Sequence, residues 1–311
     1  MTGGDEMETF FSLNLRRYLD KFGIEWKNIR EVRMRCEKPL IFMTIYGEKI
    51  LDISLGLVSK SNNPYIVSSK DLQEILAYLC QYSLYAYEDE LCQGFLTIRG
   101  GHRVGISGQI VLRNGQIQSI SHVSSLNIRV AHDVVGCGSK IFEYLWEEGR
   151  PCSTLILSPP GCGKTTLLRD LIRLFSDGYG SHPGISVCLV DERSEVAACY
   201  QGISQNNLGI RTDIMDRCPK PYGVEMMVRS MGPKLIAFDE LGTKRDAEAV
   251  EYAIHSGCYV LSTLHGKSMS DLKRFWKTSV FKRHVFLNDW GISERIHFIC
   301  DEEGRMIYKA G

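Results

Sequence analysis

The chain has 311 residues, of which 44% are hydrophobic, enough for one large core or two modest ones. Its 37 basic and 37 acidic residues balance, so no global field favours nucleic acid or an anionic membrane as a partner. Eleven scattered cysteines, without Cys-x-x-Cys spacing, and an acidic N-terminus without an apolar run favour a reducing cytoplasm and argue against a signal peptide. No apolar run approaches the roughly 18 residues of a membrane span, so we expect a cytoplasmic protein without direct membrane insertion.

Residues 1–136 are expected to form an N-terminal α+β domain. The spacing of apolar residues predicts a helix, two strands, a second helix and a β-rich stretch, at 10–22, 29–35, 40–46, 69–87 and 95–130. Ser69 is the expected N-cap of the second helix. In the β-rich stretch, the pair Asn114-Gly115 between alternating runs predicts a two-residue hairpin turn.

Three polar residues of this domain, His102, Arg103 and Arg129, are open to two interpretations. Either they lie at a domain or subunit interface and reach a ligand bound there, or they are ordinary charge on the surface of a sheet. No catalytic constellation is evident among the residues of this domain.

The second domain is expected to span residues 137–311, beginning with a helix at about 139–148. An apolar strand-like run at 154–157 leads into a phosphate-binding loop, and a helical pattern follows that loop. Lys164 would reach the β- and γ-phosphates of ATP, and the hydroxyl group of Thr165 would ligate Mg²⁺. The residues expected to hold the nucleotide are Ser158, Pro159, Pro160, Gly161, Cys162, Gly163, Lys164, Thr165 and Thr166.

Two of these loop positions carry further expectations. Ser158 stands where the phosphate-loop pattern usually has glycine, but this position ends the strand and does not have to wrap the phosphate. Cys162 is expected to be exposed and open to chemical modification.

The apolar run at 234–238 ends in two adjacent acids, Asp239 and Glu240. In the additional-strand class of P-loop ATPases, the first acid of such a pair holds the hydration shell of Mg²⁺. The second polarises the attacking water as a general base. Asp239 fits the first role and Glu240 the second.

Two more buried strands are expected to end at the same edge of the sheet. The strand at 259–266 should lie between the phosphate-loop strand and the Asp-Glu strand, so that Thr263 or His265 would sense the γ-phosphate or orient water. The strand at 187–191 ends in Asp-Glu-Arg, and Glu192 is the next candidate for the general base. We therefore expect one catalytic site built from four strand ends.

Phosphate loops and acids supply part of the charge stabilisation in this class, and an arginine completes it. The candidates lie between Asp191 and Asp239, and they are Arg193, Arg211, Arg217 and Arg229. An arginine that acts on a neighbouring subunit implies a head-to-tail interface, and thus a homo-oligomeric ring if the rotation closes. Between Gly209 and Pro233 we expect a loop-rich insert that contains Arg211, Arg217 and Lys220 and is followed by a helix near 224–231. Helices near 246–255 and 269–277 and a hairpin at 295–309 complete this domain.

Four core motifs together resemble the stage III sporulation protein AA family, namely Ser-Pro-Pro-Gly-Cys-Gly-Lys-Thr, Asp-Glu-Arg-Ser-Glu, Phe-Asp-Glu-Leu-Gly and Ser-Thr-Leu-His-Gly. The upstream run Gly-Gly-His-Arg-Val-Gly at 100–105 extends the resemblance into the N-terminal domain. That family is similar to the traffic ATPases of type II and type IV secretion. The resemblance implies an α/β RecA-like P-loop NTPase core of the additional-strand class, with ATP and Mg²⁺ as ligands. It also implies membrane-embedded sporulation channel proteins as partners, between mother cell and forespore.

Two other functions share the core motifs. A RecA-like nucleic-acid-dependent ATPase would need a basic track with stacking aromatic residues, and no strong signal of that kind is present. A nucleotide-controlled scaffold with little turnover would not need both Asp239 and Glu240.

Overall fold

The computed structural model describes residues 7–83, 87–113, 115–132, 134–266, 268, 280–288 and 296–310. The chain divides into two compact units, Met1–His132 and Asp133–Gly311. Each unit has its own sheet and its own apolar core. No helix among the described residues is long and apolar enough to cross a membrane.

The first unit is an antiparallel seven-stranded sheet that shares one apolar core with its helices. Its strands are β1 (Ile29–Arg35), β2 (Ile41–Thr44), β3 (Gly47–Asp52), β4 (Gly56–Val58), β5 (Phe95–Thr97), β6 (Arg103–Arg113) and β7 (Gln116–Arg129). They lie in the order β4-β3-β2-β1-β7-β6-β5. The helices are α1 (Leu13–Phe22), α2 (Ser69–Leu79) and α3 (Glu88–Gln93), with short 3₁₀ helices at Met7–Phe10 and Trp26–Asn28.

The second predicted helix differs from expectation at both ends. Ser68, not Ser69, is the N-cap of α2, because its hydroxyl group accepts from the backbone N–H of Asp71 while the Asp71 carboxylate accepts from the backbone N–H of Ser68. The helix ends at Leu79, well before residue 87, and α3 begins separately at Glu88. The predicted hairpin turn includes Asn114, which lies outside the described residues.

The second unit is built on an eight-stranded, largely parallel sheet in the order β14-β13-β15-β16-β10-β17-β18-β19. These strands are β10 (Thr154–Ser158), β13 (Val187–Asp191), β14 (Thr212–Asp216), β15 (Leu235–Leu241), β16 (Tyr259–His265), β17 (Arg283–Leu287), β18 (Ile296–Cys300) and β19 (Met306–Lys309). Two small ribbons pair β8 (Trp146–Glu147) with β9 (Arg150–Pro151) and β11 (Gly178–Tyr179) with β12 (His182–Pro183). The helices are α4 (Lys164–Asp177), α5 (Lys220–Met231) and α6 (Lys244–His255), with a 3₁₀ helix at Ser139–Leu145.

The central strands are buried on both faces along most of their length, which explains their largely apolar sequences. Ile156 of β10 packs in the cluster that contains α4, whereas Leu155 and Leu157 pack in the cluster that contains α5 and α6. Alternate side chains of one strand thus enter opposite layers, as the pleat requires. The layers hold the carboxyl ends of neighbouring parallel strands at one edge of the sheet.

The predicted position of the strand at 259–266 is confirmed, since β16 lies between β15 and β10. Two smaller expectations were wrong. Residues 212–216, expected within a loop-rich insert, form the parallel edge strand β14. The helix expected at 139–148 is a 3₁₀ helix that ends at Leu145, where the chain enters β8. The helix expected at 269–277 lies outside the described residues.

Candidate functional site

The loop between β10 and α4, predicted to bind phosphate, contains two glycines in the left-handed region of backbone conformation. Gly161 and Gly163 adopt positive φ angles of 78° and 93°, a conformation that favours glycine. Gly163 is also the N-cap residue of the 14-residue helix α4, and no side chain caps that end. Several backbone N–H groups and the positive end of the helix dipole therefore converge beside the loop.

Lys164 is buried at the start of α4, and its ammonium group is fully engaged in the loop. Its Nζ atom donates to the carbonyl oxygens of Ser158 and Pro159, at 3.0 Å each, and to Nδ1 of His265 at 2.9 Å. Burial lowers the pKa of Lys164, while the carboxylates of Glu240 and Asp239 partly oppose that shift. The lysine is thus held within the loop by neutral acceptors and lies near two acids.

Asp239, near the end of β15, is bracketed by two hydroxyl groups. Its Oδ1 atom accepts from Thr263 at 3.2 Å, and its Oδ2 atom lies 3.5 Å from the hydroxyl oxygen of Thr165. β16 contributes Thr263 because it pairs directly with β15. Hydroxyl and carboxylate oxygens meet here in the donor set that Mg²⁺ prefers.

Glu240 and Lys164 are bridged by the ring of His265. The Nε2 atom of His265 lies 2.9 Å from Oε1 of Glu240, and its Nδ1 atom accepts from Lys164. Since Nδ1 accepts, Nε2 carries the proton that is donated to Glu240. All three side chains belong to the predicted set, and the structure brings them together.

These residues line a cavity of about 360 Å³ at the carboxyl edge of the sheet. Its walls are Pro160, Gly161, Gly163, Lys164, Thr165, Thr166, Glu195, Asp239, Glu240, Thr263 and His265. A second cavity of about 550 Å³ shares Glu195, Asp239 and Glu240 with the first. The two cavities therefore adjoin through three acids.

Glu192, the alternative candidate for the base, lines the second cavity and not the first. Its carboxylate forms an ion pair with Lys220 at the start of α5. Glu195, which is not among the predicted site residues, lines both cavities. The sequence contains an indication of this role, because Glu195 is the last acid of the Asp-Glu-Arg-Ser-Glu motif.

Asp191 explains how that motif is folded. Its fully buried carboxylate accepts from the backbone N–H groups of Glu195, Val196 and Ala197 at 2.8–3.0 Å. Burial raises the pKa of Asp191 to about 6, and these hydrogen bonds offset part of the shift. Asp191 therefore positions the loop that carries Glu195 and has no opening onto either cavity.

The four predicted arginines separate into two groups, those at the carboxyl edge of the sheet and those at the opposite edge. Arg193 lines the second cavity, and Arg217 lies at the carboxyl end of β14, 3.7 Å from Asp216. Arg211 precedes β14 and donates to the carbonyl oxygen of Ser176 near the end of α4. Since α4 begins at the phosphate loop and has 14 residues, about 20 Å separates its ends.

Arg229 lies late in α5 and pairs with Glu225 at 2.8 Å. α5 begins beside Glu192 and ends just before Lys234, whose backbone N–H donates to Ser186 at the amino end of β13. Arg211 and Arg229 thus lie at the edge opposite the phosphate loop of their own chain. Arg245, a further arginine of the second cavity, was not anticipated.

Cys162 contradicts the expectation of an exposed thiol. It is buried, with Sγ 3.7 Å from the carbonyl oxygen of Pro160, because the loop turns its side chain inward. Ser158 is buried as well, and its hydroxyl group donates to the carbonyl oxygen of Pro159. Both side chains stabilise the loop and do not face the cavity.

In the first unit, the three residues that were open to two interpretations, His102, Arg103 and Arg129, have defined local partners. His102 is buried, and its Nδ1 atom accepts from the backbone N–H of Ala131 at 2.9 Å. The guanidinium group of Arg103 lies 3.7 Å from the ring centre of Phe95, and Arg129 lies 3.6 Å from Glu31. His102 therefore has a structural role at the end of its unit.

Fold and site together define the class: an α/β P-loop NTPase core of the additional-strand class, preceded by an α+β unit. The pilus retraction motor PilT, solved with bound ADP, superposes with a TM-score of 0.59 at 12% identity, covering 94% of this chain and 83% of PilT. The ATPase DotB of Legionella pneumophila gives 0.56 at 15% identity, covering 88% of this chain and 75% of DotB. Likeness at such identities shows the fold, and the predicted fold class is confirmed.

The family follows from the sequence itself. The family model "Sporulation stage III, protein AA" matches residues 2–307. "Stage III sporulation protein AA" of Bacillus subtilis strain 168 is 37% identical over 292 residues, which cover 91% of this chain and 90% of that protein. The chain belongs to the stage III sporulation protein AA family.

Proposed function

We propose that this protein binds and hydrolyses ATP, as the cytoplasmic motor of a secretion-like channel complex that acts in sporulation between mother cell and forespore. One observation carries the proposal: Lys164, Thr165, Asp239, Glu240 and His265 line one cavity at the carboxyl edge of a P-loop sheet. The family supports the place in sporulation, and the fold supports the motor.

The phosphate end of ATP fits the loop by charge and by donor count. The carbonyl oxygens of Ser158 and Pro159 and the Nδ1 atom of His265 now accept from Lys164. Phosphate oxygens are stronger acceptors than these neutral groups, so Lys164 would exchange them for the β- and γ-phosphates. The backbone N–H groups at the start of α4 would add further donors.

The oxygen atoms of Thr165 and Asp239 fit Mg²⁺, which prefers hard oxygen ligands. Thr165 would hold the ion directly and Asp239 through water, while Thr263 keeps the Asp239 carboxylate oriented. When bound, Mg²⁺ supplies neutralisation of the charge on the phosphates.

Glu240 is the proposed general base, and it would take the proton of the attacking water. His265 donates to Glu240 and so fixes the direction of its carboxylate. When Lys164 moves to phosphate, Nδ1 of His265 is released, which would couple the arrival of nucleotide to the position of the base. Glu195 faces the same cavity and is a candidate to orient the water.

Two substitutions in the full chain separate binding from chemistry. Lys164→Ala should abolish the stabilisation by Mg-ATP, which for a one-site ligand at 100 times its dissociation constant is about 2.7 kcal/mol. Glu240→Gln should keep that stabilisation and lower the rate of phosphate release by about 10²-fold or more.

Lys27→Ala is the matched control for Lys164→Ala, and Glu25→Gln is the matched control for Glu240→Gln. Both control positions are exposed and lie in the first unit, so both variants should behave as the wild type does. An unchanged melting temperature of the folded wild type with Mg-ATP would refute nucleotide binding, and normal turnover of Glu240→Gln would refute the assignment of the base. Nucleic acid added at physiological salt should leave the rate unchanged. A strong stimulation would instead favour a nucleic-acid-dependent ATPase.

The remaining parts of the proposal concern assembly. Membrane-embedded sporulation channel proteins are proposed as partners on the basis of the family, and a homo-oligomeric ring on the basis of the motor fold. These partners would hold the motor at the cytoplasmic face of the membrane.

A further inference from the structure

The loop that carries Glu195 has an unusual backbone conformation. Ser194 and Ala198, the residues on either side of the segment 195–197, have positive φ angles of 53° and 50°. Residues with a side chain rarely adopt this left-handed region, and they stay in it only where the surrounding structure enforces it. The backbone groups of the segment 195–197 must therefore be anchored by their neighbours.

Two side chains anchor this segment, one at its N–H groups and one at its carbonyl groups. The Asp191 carboxylate accepts from the backbone N–H groups of residues 195–197. The Nε atom of Arg169 donates to the carbonyl oxygen of Val196 at 3.0 Å, and its Nη2 atom donates to that of Glu195 at 3.2 Å. The planar fork of a guanidinium group fixes two neighbouring carbonyl groups in one geometry, whereas the ammonium group of a lysine acts as a single point.

Arg169 belongs to the helix that begins at the phosphate loop. It follows Lys164 by five residues in α4, which is about 7.5 Å along the helix axis. Lys164 and Glu195 line the same cavity, and Arg169 is not among the residues that line it. Arg169 therefore links the helix that carries Lys164 to the loop that carries Glu195, without occupying the cavity itself.

We propose that Arg169 is a positioning residue for ATP hydrolysis, which holds Glu195 at the place in the cavity where its carboxylate orients the attacking water. This inference rests on the proposed function. Without the two hydrogen bonds from Arg169, the loop would relax from its left-handed conformation and shift Glu195 away from the cavity. Such a shift slows the chemical step, because that step depends on precise placement of the reacting groups. Phosphate binding by Lys164 does not depend on the loop.

Substitutions in the full chain test the role of Arg169. Arg169→Gln should lower kcat for ATP by about tenfold and change the dissociation constant of Mg-ATP by less than about twofold. Arg169→Lys should restore only part of the rate, because an ammonium group replaces the fork. Arg173→Gln is the matched control, because Arg173 lies one turn later in α4 and its Nε and Nη2 atoms donate to the carboxylate of Asp170. This control should keep kcat within about twofold of the wild type.

A double-mutant cycle identifies the group through which Arg169 acts. If Arg169 acts by placing Glu195, its loss has no further cost once that carboxylate is gone. The double variant Arg169→Gln/Glu195→Gln should therefore turn over ATP within about twofold of Glu195→Gln alone. Effects of the two substitutions that multiply would overturn the proposal, as would normal turnover of Glu195→Gln.

Amide hydrogen exchange of the nucleotide-free chain measures the anchor without catalysis. In Arg169→Gln, the backbone N–H groups of residues 195–197 should exchange at least about tenfold faster than in the wild type, and in Arg173→Gln they should not. Unchanged exchange in Arg169→Gln would mean that Arg169 does not hold the loop, and the proposal would be wrong. Melting temperatures identify any variant that fails to fold, and Arg169→Lys then provides the second test.

Failure of the proposed function and failure of this inference give different results. A wild type that neither gains stability from Mg-ATP nor hydrolyses it would refute the proposed function, and the role of Arg169 with it. An active wild type in which the effects of Arg169→Gln and Glu195→Gln multiply would refute the role of Arg169 alone.

Discussion

Two acids of the same loop, Glu192 and Glu195, lie three residues apart and have different surroundings. Glu192 is neutralised by Lys220 and lines only the second cavity, whereas Glu195 also lines the first cavity, together with Lys164 and Glu240. A carboxylate that is held by an ammonium group has little capacity to orient water. The environment of each residue, and not its place in the motif, therefore sets its expected role.

The two acids make a matched pair for mutation. If the proposed function is right, Glu195→Gln should lower turnover by about 10-fold or more without loss of ATP affinity, because Glu195 lines the cavity that Lys164 and Glu240 also line. Glu192→Gln should have a smaller effect on turnover. Steady-state phosphate release and ATP titration, measured on both variants, check this. If Glu192→Gln lowered turnover more than Glu195→Gln did, Glu192 and not Glu195 would be the acid that acts beside Glu240.

At the scale of elements, the loop after β13 depends on the buried carboxylate of Asp191. The raised pKa of about 6 means that the native state binds more protons than the unfolded state between about pH 4 and pH 6. The stabilising contribution of Asp191 to the free energy of unfolding is therefore fully present below about pH 4 and is lost as the pH rises through 6. Asp216 adds to the effect, since its charge also raises the pKa of Asp191.

Asp191→Asn should remove this dependence. The variant should be destabilised, because an amide N–H₂ group, which cannot accept, takes the place of one of the two carboxylate oxygens that accept from backbone N–H groups. The destabilisation should shrink as the pH rises from 4 to 6. His102, whose pKa burial lowers to about 4, has the opposite slope in that window, but it is present in both proteins and cancels.

Urea unfolding at several pH values measures the difference, with Asp213→Asn at an exposed position of β14 as the control. A destabilisation that is constant across the window would mean that Asp191 stays ionised in the native state.

The sequence predicted those elements whose patterns are strong. β10 and β13 are apolar runs that end in a polar residue, β15 opens with the apolar run that leads into Asp239 and Glu240, and β16 is apolar apart from Ser262 and Thr263 before His265. Their burial on both faces follows from these largely apolar sequences. β14 escaped prediction because its sequence, Thr-Asp-Ile-Met-Asp, is half-exposed and polar, as an edge strand can be. Its place in the sheet is fixed by pairing with β13, which is a tertiary effect.

The candidate site shows the same division. Lys164, Thr165, Asp239 and Glu240 follow from motifs, whereas the bridge from Lys164 through His265 to Glu240 requires three-dimensional coordinates. The inward turn of Cys162 likewise depends on the packing of the loop and not on its composition.

At the scale of the whole molecule, the positions of the arginines determine whether one chain would be sufficient for the proposed hydrolysis of ATP. Arg193 lines a cavity that adjoins the site of its own chain, so it can act in cis. Arg229 lies on the exposed surface of α5 at the opposite edge, with a side chain that is 70% exposed. Such a residue can reach a nucleotide only across a head-to-tail interface, which closes into a ring when the rotation permits.

Mixing experiments separate the two cases. If Arg229 acts in trans, Arg229→Ala and Glu240→Gln should each be inactive alone. A mixture should regain part of the activity, because some sites combine an intact Glu240 with an intact Arg229 from the neighbour. Arg193→Ala mixed with Glu240→Gln is the matched control and should stay inactive, since every site lacks one of the two groups.

The specific activity of the wild type should also fall on dilution, as rings dissociate. Recovery with the Arg193 variant instead would place that residue at the interface, and a flat dilution series without recovery in either mixture would mean that a single chain completes its own site.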